Sequence, residues 1–301
     1  MLSRIVPGFM VRWFARPYVA GESLAAALDV AAARWKDGSL RATLDLLGED
    51  VTEAAQVDRN VATYLRMIDA VAADDRYGNG GSRPSISLKP SAFTIGEREA
   101  ACDPVRKLAE RAHERGVALT IDMEDQRWTD LTLDLCVEFQ GRGFDVGAVL
   151  QTRLHRTEGD LGRFAPGARV RLVIGIYPEP EDVATTDKRV MKERMLAYSK
   201  TLLDRGVFVE FATHDVEFLE RFVREVAPAA PDRCEVQLLL GVPRKKTATR
   251  IREGDLGPAL PVRLYIPFAL GWDQATAYLR RRMAESPSTM WLVLRNVFKR
   301  S

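Results

Sequence analysis

Near the C-terminus, AYLRRRMAES (277–286) sets three consecutive arginines in a stretch otherwise suited to a helix. At roughly 100° per residue, with Tyr278 as zero, Arg281 falls at about 300°, Arg282 at about 40°, Glu285 at about 340° and Arg280 at about 200°. Tyr278, Arg281, Arg282 and Glu285 therefore share one face, and Arg280 points away. Two adjacent guanidiniums repel one another unless an anion lies between them, and Glu285 supplies part of that compensation. A carboxylate or phosphate ligand could supply the rest through charge-assisted hydrogen bonds. The competing reading is a solvated helix surface, where such pairs contribute about 0.2–1 kcal/mol each.

Other polar residues stand at the ends of apolar runs: Asp45 and Glu49, Lys89, Asp122 and Glu124, Gln151 and Arg153, Thr213 and His214, and Tyr265. An apolar strand that turns polar at its C-terminal end is what the active-site mouth of a barrel requires, because the βα-loops converge on that rim. The elements that would hold these residues read clearly. Eight β-rich runs are expected at 42–48, 85–91, 117–124, 146–152, 170–176, 207–214, 235–241 and 262–267. Amphipathic helices are expected between them, around VDRNVATYLRMIDAVAA, EREAACDPVRKLAERAHERG, LTLDLCVEFQGRG, DKRVMKERMLAYSKTLLDRG and VEFLERFVREVA, with a last one at 272–285. Gly116 and Gly206 stand where a helix C-terminus feeding the next strand favours glycine. Eight repeats favour an α/β fold of the closed (β/α)8 TIM-like type. Residues 1–301 are expected to form one domain, with 1–40 a helical lead-in and 41–301 the barrel.

Composition narrows the function classes. Lys plus Arg total 44 against 42 Asp plus Glu, so a net charge of +2 gives no general attraction to nucleic acid, and any anion specificity must be local. Cys102, Cys136 and Cys234 lack metal spacing and suit a reducing compartment as buried thiols. The three histidines, His113, His155 and His214, are too dispersed to suggest a metal site. The N-terminal MLSRIVPGFMVRWFAR is too short to span a membrane and lacks a signal-peptide cleavage pattern, so a cytoplasmic location is expected. That segment reads either as a helix packed on the domain or, through its aromatics and arginines, as a membrane-surface contact.

YLRRRMAE (278–285) resembles the Y-x-x-R-R-x-x-E motif on the last helix of the proline dehydrogenase family. The resemblance runs in order along the chain through YVAGESL, LDLLGE, SLK, LTIDMED, VLQ, RLVIGIYPEP, FATHD, EVQLLLGV and RLYIPF. It implies a distorted barrel binding FAD non-covalently and oxidising L-proline to Δ1-pyrroline-5-carboxylate, with hydride passing from C5 to flavin N5 and electrons then to a quinone at the membrane. By resemblance, Arg281 and Arg282 hold the substrate carboxylate with Lys89. Asp122 and Tyr265 line the site, Tyr177 and Tyr278 pack around the substrate ring, and Glu49 pairs with the first arginine of the motif to close the site. Gln151, Arg171, Val173, Ile174, Gly175, Ile176, Thr213 and His214 match flavin-contacting positions, and Met123 lies beside the ring. Arg171 is expected near N5, where positive charge stabilises an anionic reduced flavin.

The sequence departs from the family pattern in places. Arg153 stands where an aromatic residue is usual, Ile174 where lysine is usual and Leu240 where an aromatic is usual, and the stretch from Tyr265 to Arg281 is longer. These departures leave open a related flavoenzyme acting on hydroxyproline or another cyclic amino acid. From a different class comes a non-catalytic barrel whose RRR (280–282) and PRKKTATRIR (243–252) segments bind an acidic partner or nucleic acid, although PRKKTATRIR also reads as a solvated helix face.

Overall fold

The computed structural model describes residues 17–48, 51–77 and 82–271. Glu49, Tyr278, Arg281, Arg282, Glu285, the helix expected at 272–285 and residues 1–16 lie outside the described residues.

All eight expected strands form: β1 (Arg41–Leu46), β2 (Ser85–Leu88), β3 (Leu119–Ile121), β4 (Val146–Gln151), β5 (Arg169–Val173), β6 (Phe208–Ala212), β7 (Cys234–Leu239) and β8 (Val262–Phe268). They pair in parallel, each with the next, and β8 returns to β1 to close the barrel. Described α-helices of six residues or more between or beside them are α1 (Leu24–Gly38), α2 (Ala54–Ala73), α3 (Cys102–Glu114), α4 (Thr129–Gly141), α5 (Lys188–Asp204), α6 (Val216–Arg221) and α7 (Lys245–Glu253). Several strands are shorter than the sequence suggests. Regular pairing in β3 stops at Ile121, and Asp122, Met123 and Glu124 follow in the loop that leads to the mouth.

Local chemistry sets the helix boundaries. The Ser23 hydroxyl caps α1 by accepting from the Ala26 N–H, and the Asp187 carboxylate caps α5 by accepting from the N–H groups of Arg189 and Val190. Helices α3 and α5 end as expected at Gly116 and Gly206, whose φ angles of 63° and 82° suit glycine. The N–H groups of the residues that follow, Val117 and Val207, close each end on the carbonyls of Ala112 and Leu202. The helix expected across VEFLERFVREVA is α-helical only to Arg221 and then widens to π-type bonding over Phe222–Val226. PRKKTATRIR does hold a basic helix, α7, which turns Ala248 and Ile251 into the core.

Strand pleating divides the barrel into two environments. Outward residues such as Leu44, Ile86, Leu172, Phe211, Val236 and Ile266 are fully buried against the helices and form the hydrophobic core. Inward residues are largely polar: Thr43 and Asp45, Ser85 and Ser87, Thr120, Gln151, Arg169 and Arg171, Glu210, Glu235 and Gln237, Arg263 and Tyr265. Branched apolar residues usually fill this space. Polarity was expected only at the strand ends; the structure extends it through the interior. Helix α1 packs against β1 and β8, buried through Ala27, Leu28 and Ala31. The segment before it is tied to β8, with Ala20 N–H donating to the Pro267 carbonyl at 2.8 Å and Ala269 N–H to that of Gly21 at 3.1 Å. Cys136 and Cys234 are buried as expected, and burial pushes each thiol up to about 12. Cys102 is only half-buried, because it opens α3 at the surface.

Candidate active site

Side chains of β2, β5 and β8 converge on Asp122, which follows β3 and is buried. One carboxylate oxygen, Oδ1, accepts from the Ser87 hydroxyl at 2.8 Å and from Arg171 Nη1 at 2.7 Å. The other accepts from the Tyr265 hydroxyl at 2.5 Å, with Lys89 Nζ 3.7 Å away. Lys89 itself pairs with buried Asp45 at 2.7 Å. Asp122 reaches this position because its N–H continues the β2–β3 ladder onto the Leu88 carbonyl at 2.8 Å, which points its side chain inward. Four of the expected site residues, Lys89, Asp122, Arg171 and Tyr265, thus form one connected cluster.

Charge is arranged accordingly. The Arg171 guanidinium lies 5.3 Å from the Tyr265 ring centroid, within cation–π range. Burial opposes its charge, but the carboxylates of Asp122 and Glu210 outweigh that and raise its pKa further. Burial, reinforced by the charges of Asp122 and Asp45, holds the Tyr265 phenol neutral well above its ordinary range. Arg171 is only 4% exposed, yet among the described residues its Nη2 and Nε find no hydrogen-bond partner; Nε lies 3.6 Å from Glu210 Oε2. A buried guanidinium nitrogen with no acceptor is costly unless a ligand supplies one.

The remaining expected contacts line the opposite arc of the mouth. Gln151, ending β4, donates to the Glu124 carbonyl at 2.8 Å and is paired in register with Val173, ending β5. Met123 is buried beside Asp122 in sequence. Ile174 packs half-buried on the core, Gly175 turns with φ of 91°, and Ile176 is exposed. A Cβ at Gly175 would lie 2.5 Å from Gln151 Oε1, so the backbone there lies tight beneath that amide. Tyr177 is half-buried, and its carbonyl accepts from Arg153. Thr213 and His214 follow β6, where the Thr213 hydroxyl accepts from the Asp215 N–H and the His214 carbonyl from Arg244.

Sequence reasoning missed the layer beneath. Glu210 accepts from Arg169 Nη1 at 2.5 Å and from Gln237 at 2.7 Å while facing Arg171. Burial pushes its carboxyl upward, but the charges of Arg169, Arg171 and Arg263 prevail and hold it below the ordinary range. Gln237 also donates to Glu235, which pairs with Arg263 at 2.6 Å. The signal was present in RVRLV, CEVQLL and VRLYIPF, where charged or polar residues recur at period two, and in the lone Glu210 of FVEFA, all inside runs that parallel barrel strands usually fill with apolar residues.

A closed parallel barrel with a buried ionic mouth at its C-terminal face defines the class: a (β/α)8-barrel enzyme with its site on the βα-loops. Residues 27–290 match the family model described as "Proline dehydrogenase". The chain is 31% identical over 298 residues to the proline dehydrogenase of Deinococcus radiodurans, covering 95% of this chain and 90% of that one. It is 28% identical over 304 residues to proline dehydrogenase 1 of Bacillus subtilis strain 168, covering 99% and 95%. Among solved structures, the barrel is similar to proline utilization A from Bdellovibrio bacteriovorus inactivated by N-propargylglycine. That match has a TM-score of 0.77 and 22% identity, covers 90% of this chain and spans only 32% of the longer protein, so it shows the fold alone. This chain belongs to the proline dehydrogenase family.

Proposed function

We propose that this barrel mouth binds FAD and oxidises L-proline to Δ1-pyrroline-5-carboxylate, with a quinone as the eventual electron acceptor. The protein is an oxidoreductase acting on proline, as its family membership carries. The observation that best supports a flavin is Arg171: a buried, permanently charged guanidinium with two nitrogens that find no hydrogen-bond acceptor among the described residues. That donor set fits the electron-rich edge of a heteroaromatic cofactor. Arg171, Gln151, Met123, the 173–176 backbone, Thr213 and His214 would hold the group. When bound, FAD supplies the two-electron acceptor that side chains lack.

The chain's own residues supply orientation and charge. Asp122 holds Arg171 and fixes the Tyr265 hydroxyl on its second oxygen, so both donors keep one geometry before substrate arrives. Lys89 brings positive charge to the mouth for the substrate carboxylate, while Asp45 keeps the ammonium in place. In this reading Arg281 and Arg282 complete the carboxylate clamp, Glu49 pairs with the first of them, and Tyr177 and Tyr278 pack on the ring. We take residues 1–301 to act as one barrel unit in the cytoplasm, with residues 1–16 as the candidate membrane-surface contact. Among the described residues no helix is long and apolar enough to cross a membrane.

Anaerobic addition of L-proline to purified, flavin-loaded protein tests the reading directly. The flavin's visible absorbance should bleach. A spectrum unchanged by L-proline but bleached by hydroxyproline would reassign the substrate, and a protein that takes up no flavin would overturn the cofactor.

A further inference from the structure

The mouth contains one more cation, and among the described residues no carboxylate answers it. Arg153 stands two residues past the end of β4, in the turn that leaves the strand. Its backbone is fixed on both sides: its N–H donates to the Ile174 carbonyl at 3.2 Å, and its own carbonyl accepts from Thr185 N–H at 2.9 Å. The stem lies across Gly175, where an added Cβ would meet Arg153 Cδ at 2.7 Å and Cγ at 3.0 Å. Nη1 donates to the Tyr177 carbonyl, which is neutral. Nε is buried with no acceptor. Lys89, by contrast, is paired with Asp45, and Arg171 with Asp122.

Arg153 is half-buried, and a guanidinium whose Nε is buried and meets neither an acceptor nor a counter-charge among the described residues is an incomplete arrangement. A bound anion completes it through charge-assisted hydrogen bonds. Position decides which anion. Arg153 stands on the β4–β5 arc with Gln151 and Gly175, whereas Lys89, Asp45 and Tyr265 stand on β1, β2 and β8 across the barrel. We propose that Arg153 binds a phosphate of the dinucleotide cofactor, a proposal that rests on the flavin reading above. Ile174 leaves the adjoining position uncharged, so Arg153 restores on the β4 side a cation that the family pattern carries on β5.

Full-length wild type, Arg153→Gln and Arg153→Lys are freed of flavin and titrated calorimetrically with FAD and with riboflavin, which has no phosphate. The glutamine variant should bind FAD about tenfold or more weakly and riboflavin within about twofold of wild type, and lysine should recover part of the FAD affinity. Retained riboflavin binding also reports an intact fold. Unchanged FAD affinity, or equal weakening toward both flavins, overturns the proposal. So does an effect confined to the KM for proline, which assigns the cation to the substrate carboxylate. Wild type that binds no FAD overturns the flavin reading and this proposal together, whereas wild type that binds FAD alongside an unaffected variant overturns this proposal alone.

Discussion

At the scale of single residues, Glu210 shows how much rests on side chains that touch no ligand. It is 2% exposed and faces two arginines, so replacing it by glutamine leaves Arg169 and Arg171 short of a counter-charge. Removing one partner of a buried ion pair typically costs about 3–5 kcal/mol. We expect Glu210→Gln to lower the urea midpoint at neutral pH by a corresponding amount. The pH dependence follows from the direction of its shift. A carboxyl held below its ordinary value of 4.5 in the folded state stabilises the fold above that pH, and the contribution is lost as pH falls toward the folded value. Thermal melts from pH 6 down to about pH 3 should therefore show a shallower acid slope in Glu210→Gln than in wild type. An equal slope would mean that Glu210 does not carry this dependence.

At the scale of elements, the backbone rather than the side chains sets the tolerances at strand and helix ends. Gly116 and Gly241 both adopt positive φ, at 63° and 84°, but their surroundings differ. A Cβ at Gly116 would meet nothing within 4 Å, whereas one at Gly241 would lie 2.3 Å from the Pro17 carbonyl oxygen. Gly116→Ala should thus cost only the conformational penalty, about 1–2 kcal/mol. Gly241→Ala should cost more, because the lead-in segment must move; denaturant midpoints compare the two directly. Much at this scale was legible in advance. All eight strands, the glycine stops after α3 and α5 and the polar strand ends were readable, because periodicity and caps are local signals. The interior ion pairs were not, since Glu210 meets Arg169 only once β5 and β6 align. The widening at Phe222 was not either, because FVREV continues an ordinary helical pattern. Lys89, Asp122 and Tyr265 were legible as polar residues closing apolar runs and Arg171 through family likeness; their bonding to one another needed four strands brought together.

At the scale of the whole molecule, closure joins the two ends of the described chain. Arg263 donates to the Ala42 carbonyl, 221 positions earlier, and β1 and β8 pair along six registered positions from Arg41↔Arg263 to Leu46↔Phe268. Helix α1 packs where both strands meet. A chain ended after Leu256 lacks β8 and leaves the edges of β1 and β7 and the face of α1 without their partner. We expect it to lose the single cooperative urea transition that the full chain should show by circular dichroism; a sharp transition retained in the short chain would contradict this account. The same closure bears on synthesis. At about 5–20 residues per second, β1 leaves the ribosome roughly 10–40 s before β8 exists. One edge of β1 can meet β2 early, but the edge that meets β8 is among the last to be paired, and for that interval it and the α1 face that packs there stand open in the newborn chain. The seam between β1 and β8 is therefore the part of the newborn chain that waits longest for its partner.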